Sequence, residues 1–330
     1  MTPMDDARTL SELETLVYET YQLWDEDWVG FSWRNYTYDH IQRVRALSRT
    51  LAGRENANAR ALEFATLLHD VTKSYDGEIM TRDGQRVLDA NGFWLNEYLP
   101  PARRNSLTDL YDQLELRGTV HHDSGARIAA HLLAEHGYPA VFCTHVAEII
   151  GSHLKVTEHS SVEGGIIYDA DTIDSNIGLP ALYRNIMIVL RGRDKQAQAN
   201  GLPDASAELD ADPEAFLRPW ILDRLPTWVN SKHRDFVTKM TTDSGKALAD
   251  ARIDRLGVLV EGLAHELGSF DHNLRHGRLG VLWYFVQHRK GAMLSRQLPT
   301  LEREWLPAAA ANDHALAYVR ALRDEAAGLG

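Results

Sequence analysis

The stretch LEFATLLHDVTKS, residues 62–74, ends an apolar run on two adjacent polar residues, His69 and Asp70. Apolar side chains recur through it at three- and four-residue spacing, which predicts a buried helix. An imidazole and a carboxylate side by side at the end of such a helix need a partner. A ring nitrogen and a carboxylate oxygen together suit a divalent ion such as Mn, Fe, Zn, Ni or Co.

The same spacing runs outward through ARALEFATLLHDV (59–71), SGARIAAHLLAEHG (124–137) and LADARIDRLGVLVEGLAHELG (248–268), while sustained period-two alternation is nearly absent. The chain is therefore expected to be all-α. Asp123 or Ser124 is placed to cap a helix that runs to about His136, where Gly137 and Pro139 stop it. The acidic, Pro-containing stretch GLPDASAELDADPEAF (201–216) reads as a long surface loop or insertion. A second loop covers residues 75–105, with a turn signal at Arg82, Asp83 and Gly84.

With 330 residues, 44% hydrophobic and 25% charged, the chain has the composition of a globular protein rather than a disordered one. Its net charge of −12 comes from 47 acidic against 35 basic residues, and no dense Lys/Arg run is present to track a phosphate backbone, so no duplex nucleic-acid partner is expected. A small anionic substrate stays open, because a bound metal and a few local cations outweigh an average field. Cys143, the single cysteine, sits in the apolar run AVFCTHVAEII and reads as a buried side chain. The first residues, MTPMDDARTLSELETL, have neither a basic start nor an apolar stretch, and no window approaches the ~18 apolar residues of a membrane span. These observations lead to the expectation of a cytoplasmic protein with no membrane partner.

Three further positions are candidates to complete a metal site: His40 in YDHIQRVRALS, His153 in EIIGSHL and Asp171 in IIYDADTIDSNIG. Lys73 and Arg43 each stand three residues from a proposed ligand, one helical turn away, where a cation can face phosphate oxygens. The remaining histidines, His272, His276 and His288 among them, read as structural or exposed. No P-loop, dinucleotide, serine-hydrolase or zincin motif is found.

Taken in order, His40, the His69-Asp70 doublet, His121 or His122, His153 and Asp171 resemble the pattern of the HD superfamily of metal-dependent phosphohydrolases: a His, a His-Asp doublet, optional further His residues and a closing Asp. LLHDVTK is similar to the family's doublet segment with its trailing Lys, and ADTIDSNIG to its closing motif. KHRDFVTKMTTDSGKALADARIDRLGVLVEGLAHEL (232–267) resembles the last helices of small bacterial members. The resemblance implies an HD-domain helical bundle over 38–267, with the acidic insertion at about 195–215. An N-terminal helical segment (1–37) and a C-terminal helical extension (268–330) fall outside it, the extension being a candidate homodimer interface.

It further implies His40, His69, Asp70 and Asp171 as primary metal ligands, with His121 and His153 as the extra ones. His121 is preferred over His122 because the family's helix carries a small residue four positions after its ligand, and Gly125 stands there. One or two divalent ions (Mn, Fe, Zn, Ni, Co or Mg) are expected per chain. Asp70, Lys73 and Arg43 are the expected catalytic residues, and the reaction is hydrolysis of a phosphoester or pyrophosphate bond in a nucleotide or other small phosphorylated metabolite. Two alternatives are an HD-fold di-iron oxygenase acting on a small organic substrate and a non-catalytic nucleotide-binding regulatory module.

Overall fold

The computed structural model describes residues 5–25, 28–29, 32–90, 92–267, 298–299, 302–303 and 313–329. The fold is all-α, and the chain divides into two compact units, residues 1–171 and 172–330.

In the first unit, α1 (Asp6–Tyr21) packs on α2 (Arg34–Glu55) and α3 (Ala59–Leu68). Alpha-helix α4 (Ser106–Gln113) packs on α1, while α5 (His121–Glu135) and α6 (Ala140–Gly151) lie against each other and against α3. The division between the units falls within α7 (Val162–Asn176), directly after Asp171. α3 is central because most of its sequence is apolar: Ala61, Leu62, Phe64, Ala65, Leu67 and Leu68 are all buried. Asn58 caps it by accepting from Ala61 N at 3.1 Å, and Glu163 of α7 accepts from Asn58 N at 2.8 Å.

The expected cap at Asp123 or Ser124 is not the one used. Helix α5 begins at His121 after an extended Val120 (φ −60°, ψ 144°), so both His121 and His122 lie in its first turn. The Thr72 hydroxyl takes over the local anchoring, donating to His121 O at 3.1 Å and sharing a 2.7 Å hydrogen bond with the Ser124 hydroxyl. Gly137 ends the helix as expected, with φ at 82°.

The stretch between Tyr75 and Asn105 contains short strands. β3 (Asp76–Ile79) pairs antiparallel with β6 (Asn96–Tyr98), and β4 (Thr81–Arg82) with β5 (Gln85–Arg86). Asp83 and Gly84 both take positive φ, 51° and 74°, between β4 and β5, the conformation a two-residue hairpin turn requires.

The second unit contains α8 (Leu179–Ala199), α9 (Ala205–Ala211), α10 (Pro213–Pro219), α11 (Leu225–Asp235), α12 (Asp243–Leu267) and α13 (Asp313–Ala326). The expected loop at 201–216 is thus two short helices. Asp212 caps the second by accepting from Ala215 N at 3.0 Å, and Pro213 occupies its first turn, so the Asp-Pro punctuation marks a helix start. The Thr242 hydroxyl accepts from Gly245 N at 2.9 Å at the start of α12. Of the C-terminal extension, α13 is helical and buries Tyr318, Val319 and Leu322. Residues 268–297, with His272, His276 and His288, lie outside the described residues. No helix among the described residues is long and apolar enough to cross a membrane.

Candidate metal centre

His69 and Asp70 follow the last residue of α3, and both side chains are fully buried. His69 keeps a helical backbone conformation, so its Nδ1 reaches the Thr66 carbonyl one turn back, at 2.8 Å. The carbonyl only accepts; Nδ1 therefore carries the proton and Nε2 is left as a lone pair. The same device recurs at His153, whose Nδ1 donates to Ile150 O at 2.7 Å at the end of α6. At His121 the acceptor is a side chain, with Nδ1 at 2.8 Å from Asp76 Oδ2.

The three lone pairs converge on Asp70. Its Oδ2 lies 3.5 Å from His69 Nε2 and 3.6 Å from His40 Nε2, while its Oδ1 lies 3.7 Å from both His121 Nε2 and His153 Nε2. Asp171 closes the first side: its Oδ1 is 2.9 Å from His40 Nε2 and 3.8 Å from His69 Nε2. One carboxylate thus separates two donor groups, His40-His69-Asp70 and Asp70-His121-His153, whose atoms are close enough within each group to share an ion. All six sequence candidates for ligands meet in this one place.

The buried atoms fit a metal. The Nε2 atoms of His69, His121 and His153 and the Oδ1 of Asp70 are buried with no hydrogen-bond partner, although buried polar atoms are ordinarily paired. Burial drives the His69 imidazole below its usual pKa and the His153 imidazole well below, so both are neutral, the form in which histidine binds a metal. Burial alone would push the Asp70 carboxyl up. The Lys73 ammonium, 2.7 Å from Oδ2, opposes this and holds the carboxyl well below the usual range. Asp171 is likewise lowered against its burial by the His40 hydrogen bond and charge.

The two cations expected at the site are placed differently. Lys73 sits on Asp70 itself. Arg43 is buried on α2, with its guanidinium 2.8 Å from Asp39 and 4.8 Å over the Tyr36 ring. His122 turns the other way from its neighbour, with its Nε2 3.4 Å from Asp123 and its ring 4.8 Å from that of Phe93. It is His121 that faces Asp70. Gly125 explains the small residue on α5: a Cβ there would lie 2.9 Å from the His69 carbonyl oxygen, so only glycine lets α5 approach the doublet.

Asp169 and Asp174 flank Asp171 on α7, and both are fully buried. Sequence reasoning missed Asp76, Thr72 and Tyr21, the last donating its hydroxyl to Asp70 O at 2.6 Å. None carries a local signal. Tyr21 is 49 residues from Asp70 and joins it only because α1 packs on α3.

Residues 37–176 match the family model described as HD domain. That stretch is similar to the HD domain. Its span begins three residues before His40 and ends five after Asp171, enclosing every residue of the donor set. No curated protein matches the chain. Solved structures similar to this chain include YpgQ of Bacillus subtilis in complex with ADP, at 20% identity over 79% of this chain and 96% of that one, with a TM-score of 0.40. Another is a predicted HD superfamily hydrolase from an uncultured Thermotogales bacterium, at 19% identity over 78% of this chain and 92% of that one, with a TM-score of 0.44.

Proposed function

We propose that this protein hydrolyses a phosphoester or pyrophosphate bond in a nucleotide or other small phosphorylated metabolite, with divalent metal as cofactor. The observation that carries the reading is the division of Asp70, one oxygen toward His40, His69 and Asp171 and the other toward His121 and His153. This arrangement favours two ions per chain. A divalent ion in such a donor set supplies a water of lowered pKa and a positive charge against which phosphoryl oxygens develop theirs.

The chain's own residues prepare that chemistry. Asp70 and Asp171, held ionised, provide the anionic donors, and three histidines are fixed in the metal-binding tautomer by Thr66, Ile150 and Asp76. Lys73 keeps Asp70 charged, and its ammonium, still partly exposed, is the cation placed to meet an incoming phosphate. Arg43, committed to Asp39 and Tyr36, is the less well placed of the two cations and acts by holding α2, which carries His40.

The test is phosphate release from a panel of nucleotides and phosphomonoesters by protein purified without chelator, beside His69→Ala and Asp70→Ala. Metal-dependent release lost in both variants supports the reading. A second reading, a di-iron oxygenase on a small organic substrate, draws on the same paired donor groups; two irons per chain with oxygen uptake and no phosphate release would put it first. A non-catalytic regulatory module gives no reason for a complete, buried donor set.

A further inference from the structure

A cavity of about 130 Å³ lies in the first unit between the paired strands β3 and β6, α4 and the turn that leads into α5. Its wall includes Tyr75, Trp94, Tyr98, Tyr111, Asn96 and Asp76. The tyrosine rings are nearly parallel: Tyr75 stacks on Tyr111 at 3.8 Å and 7°, and on Tyr98 at 5.9 Å and 17°. Trp94, at the same cavity, is 45% exposed, with the Arg86 guanidinium 5.3 Å over its ring. Two wall residues each hold a buried polar atom with no hydrogen-bond partner, the Tyr75 hydroxyl and the Asn96 Oδ1. Asp76 joins the cavity to the metal centre, because the carboxylate on its wall is the one that holds His121.

We propose that this cavity binds the planar heteroaromatic ring of the substrate, a nucleobase, while the phosphate end of the same molecule reaches the metal centre. The second half rests on the hydrolase reading above. The cavity is smaller than the ~300 Å³ of a pocket for a drug-sized ligand, so it takes one ring system and leaves the sugar and phosphates outside. Flat aromatic walls favour a flat guest. The unpartnered hydroxyl and amide oxygen select a guest with donors and acceptors along its edge, since a hydrocarbon ring would leave both unsatisfied. Asp76 places the wall one imidazole ring away from the Nε2 that faces Asp70.

The experiment is calorimetric titration of adenosine, guanosine, cytidine and uridine into the full metal-loaded chain and into Tyr75→Phe and Asn96→Ala. At least one nucleoside is expected to bind one to one, with affinity falling about tenfold in each variant. The Tm of Tyr75→Phe should hold or rise, because that hydroxyl has no protein partner to lose. Absence of binding by all four nucleosides, or binding untouched in both variants, overturns the proposal. In parallel, KM for a nucleotide should rise in the variants while KM for ring-free pyrophosphate stays; equal KM values throughout would also overturn it. Failure of the hydrolase reading is distinguishable, since it shows as nucleoside binding that responds to the variants with no phosphate release from any compound.

Discussion

Removing the Asp76 carboxylate takes away the acceptor that orients His121 and leaves the other two oriented imidazoles alone. His69 and His153 lean on main-chain carbonyls, which no side-chain substitution removes, whereas His121 Nδ1 donates to Asp76 Oδ2 at 2.8 Å. A hydrogen bond to a charged group contributes about 1.5–3 kcal/mol, and loss of a group that orients a metal ligand typically costs roughly 10- to 100-fold in affinity. Asp76→Ala is therefore expected to weaken the ion shared by Asp70, His121 and His153 by about 10- to 100-fold. The ion shared by His40, His69, Asp70 and Asp171 should be nearly unaffected. Competition titration against a fluorescent chelator, with Mn or Zn, reads both steps. One step should shift and the other stay, with far-UV circular dichroism unchanged. Equal weakening of both steps, or no change in either, would refute the assignment of Asp76 and the independence of the two donor groups.

Gly125→Ala places a methyl 2.9 Å from the His69 carbonyl oxygen. Backbone has to move, so urea denaturation should show a loss of about 1–3 kcal/mol together with weaker metal binding; a neutral result would mean that α5 does not press on the doublet. Arg43→Ala removes a buried ion pair with Asp39, and stability measured in urea should drop by about 3 kcal/mol while turnover per folded molecule persists. Turnover lost at unchanged stability would instead return Arg43 to the phosphate.

Much of the site was legible because metal donors are chemically conspicuous. His69 and Asp70 stand out against the apolar α3, and the order of His40, His121, His153 and Asp171 along the chain resembles the HD pattern, which links residues far apart in sequence. Gly125 singled out His121 over His122, and the structure supplies the reason in the close approach of α5 to the His69 carbonyl.

What orients the donors was hidden. Thr66 and Ile150 act through their carbonyls, which every residue has, and Asp76 is a strand residue whose value depends on where β3 and α5 meet. The capping error at α5 has a related cause: Asp123 and Ser124 are good caps by type, but the helix start is set by the Thr72 and Ser124 hydroxyls gripping the first turn. At 201–216, Pro and Asp read by residue type as loop punctuation, whereas Asp212 and Pro213 serve as helix-start residues in α10.

The most direct test of the central claim is elemental analysis of metal bound per chain, in protein purified without chelator and in Asp70→Ala. Two divalent ions per chain, falling to none when the shared carboxylate is removed, is the result the paired donor groups predict. Full metal content in Asp70→Ala, or none in the unaltered chain, would contradict it.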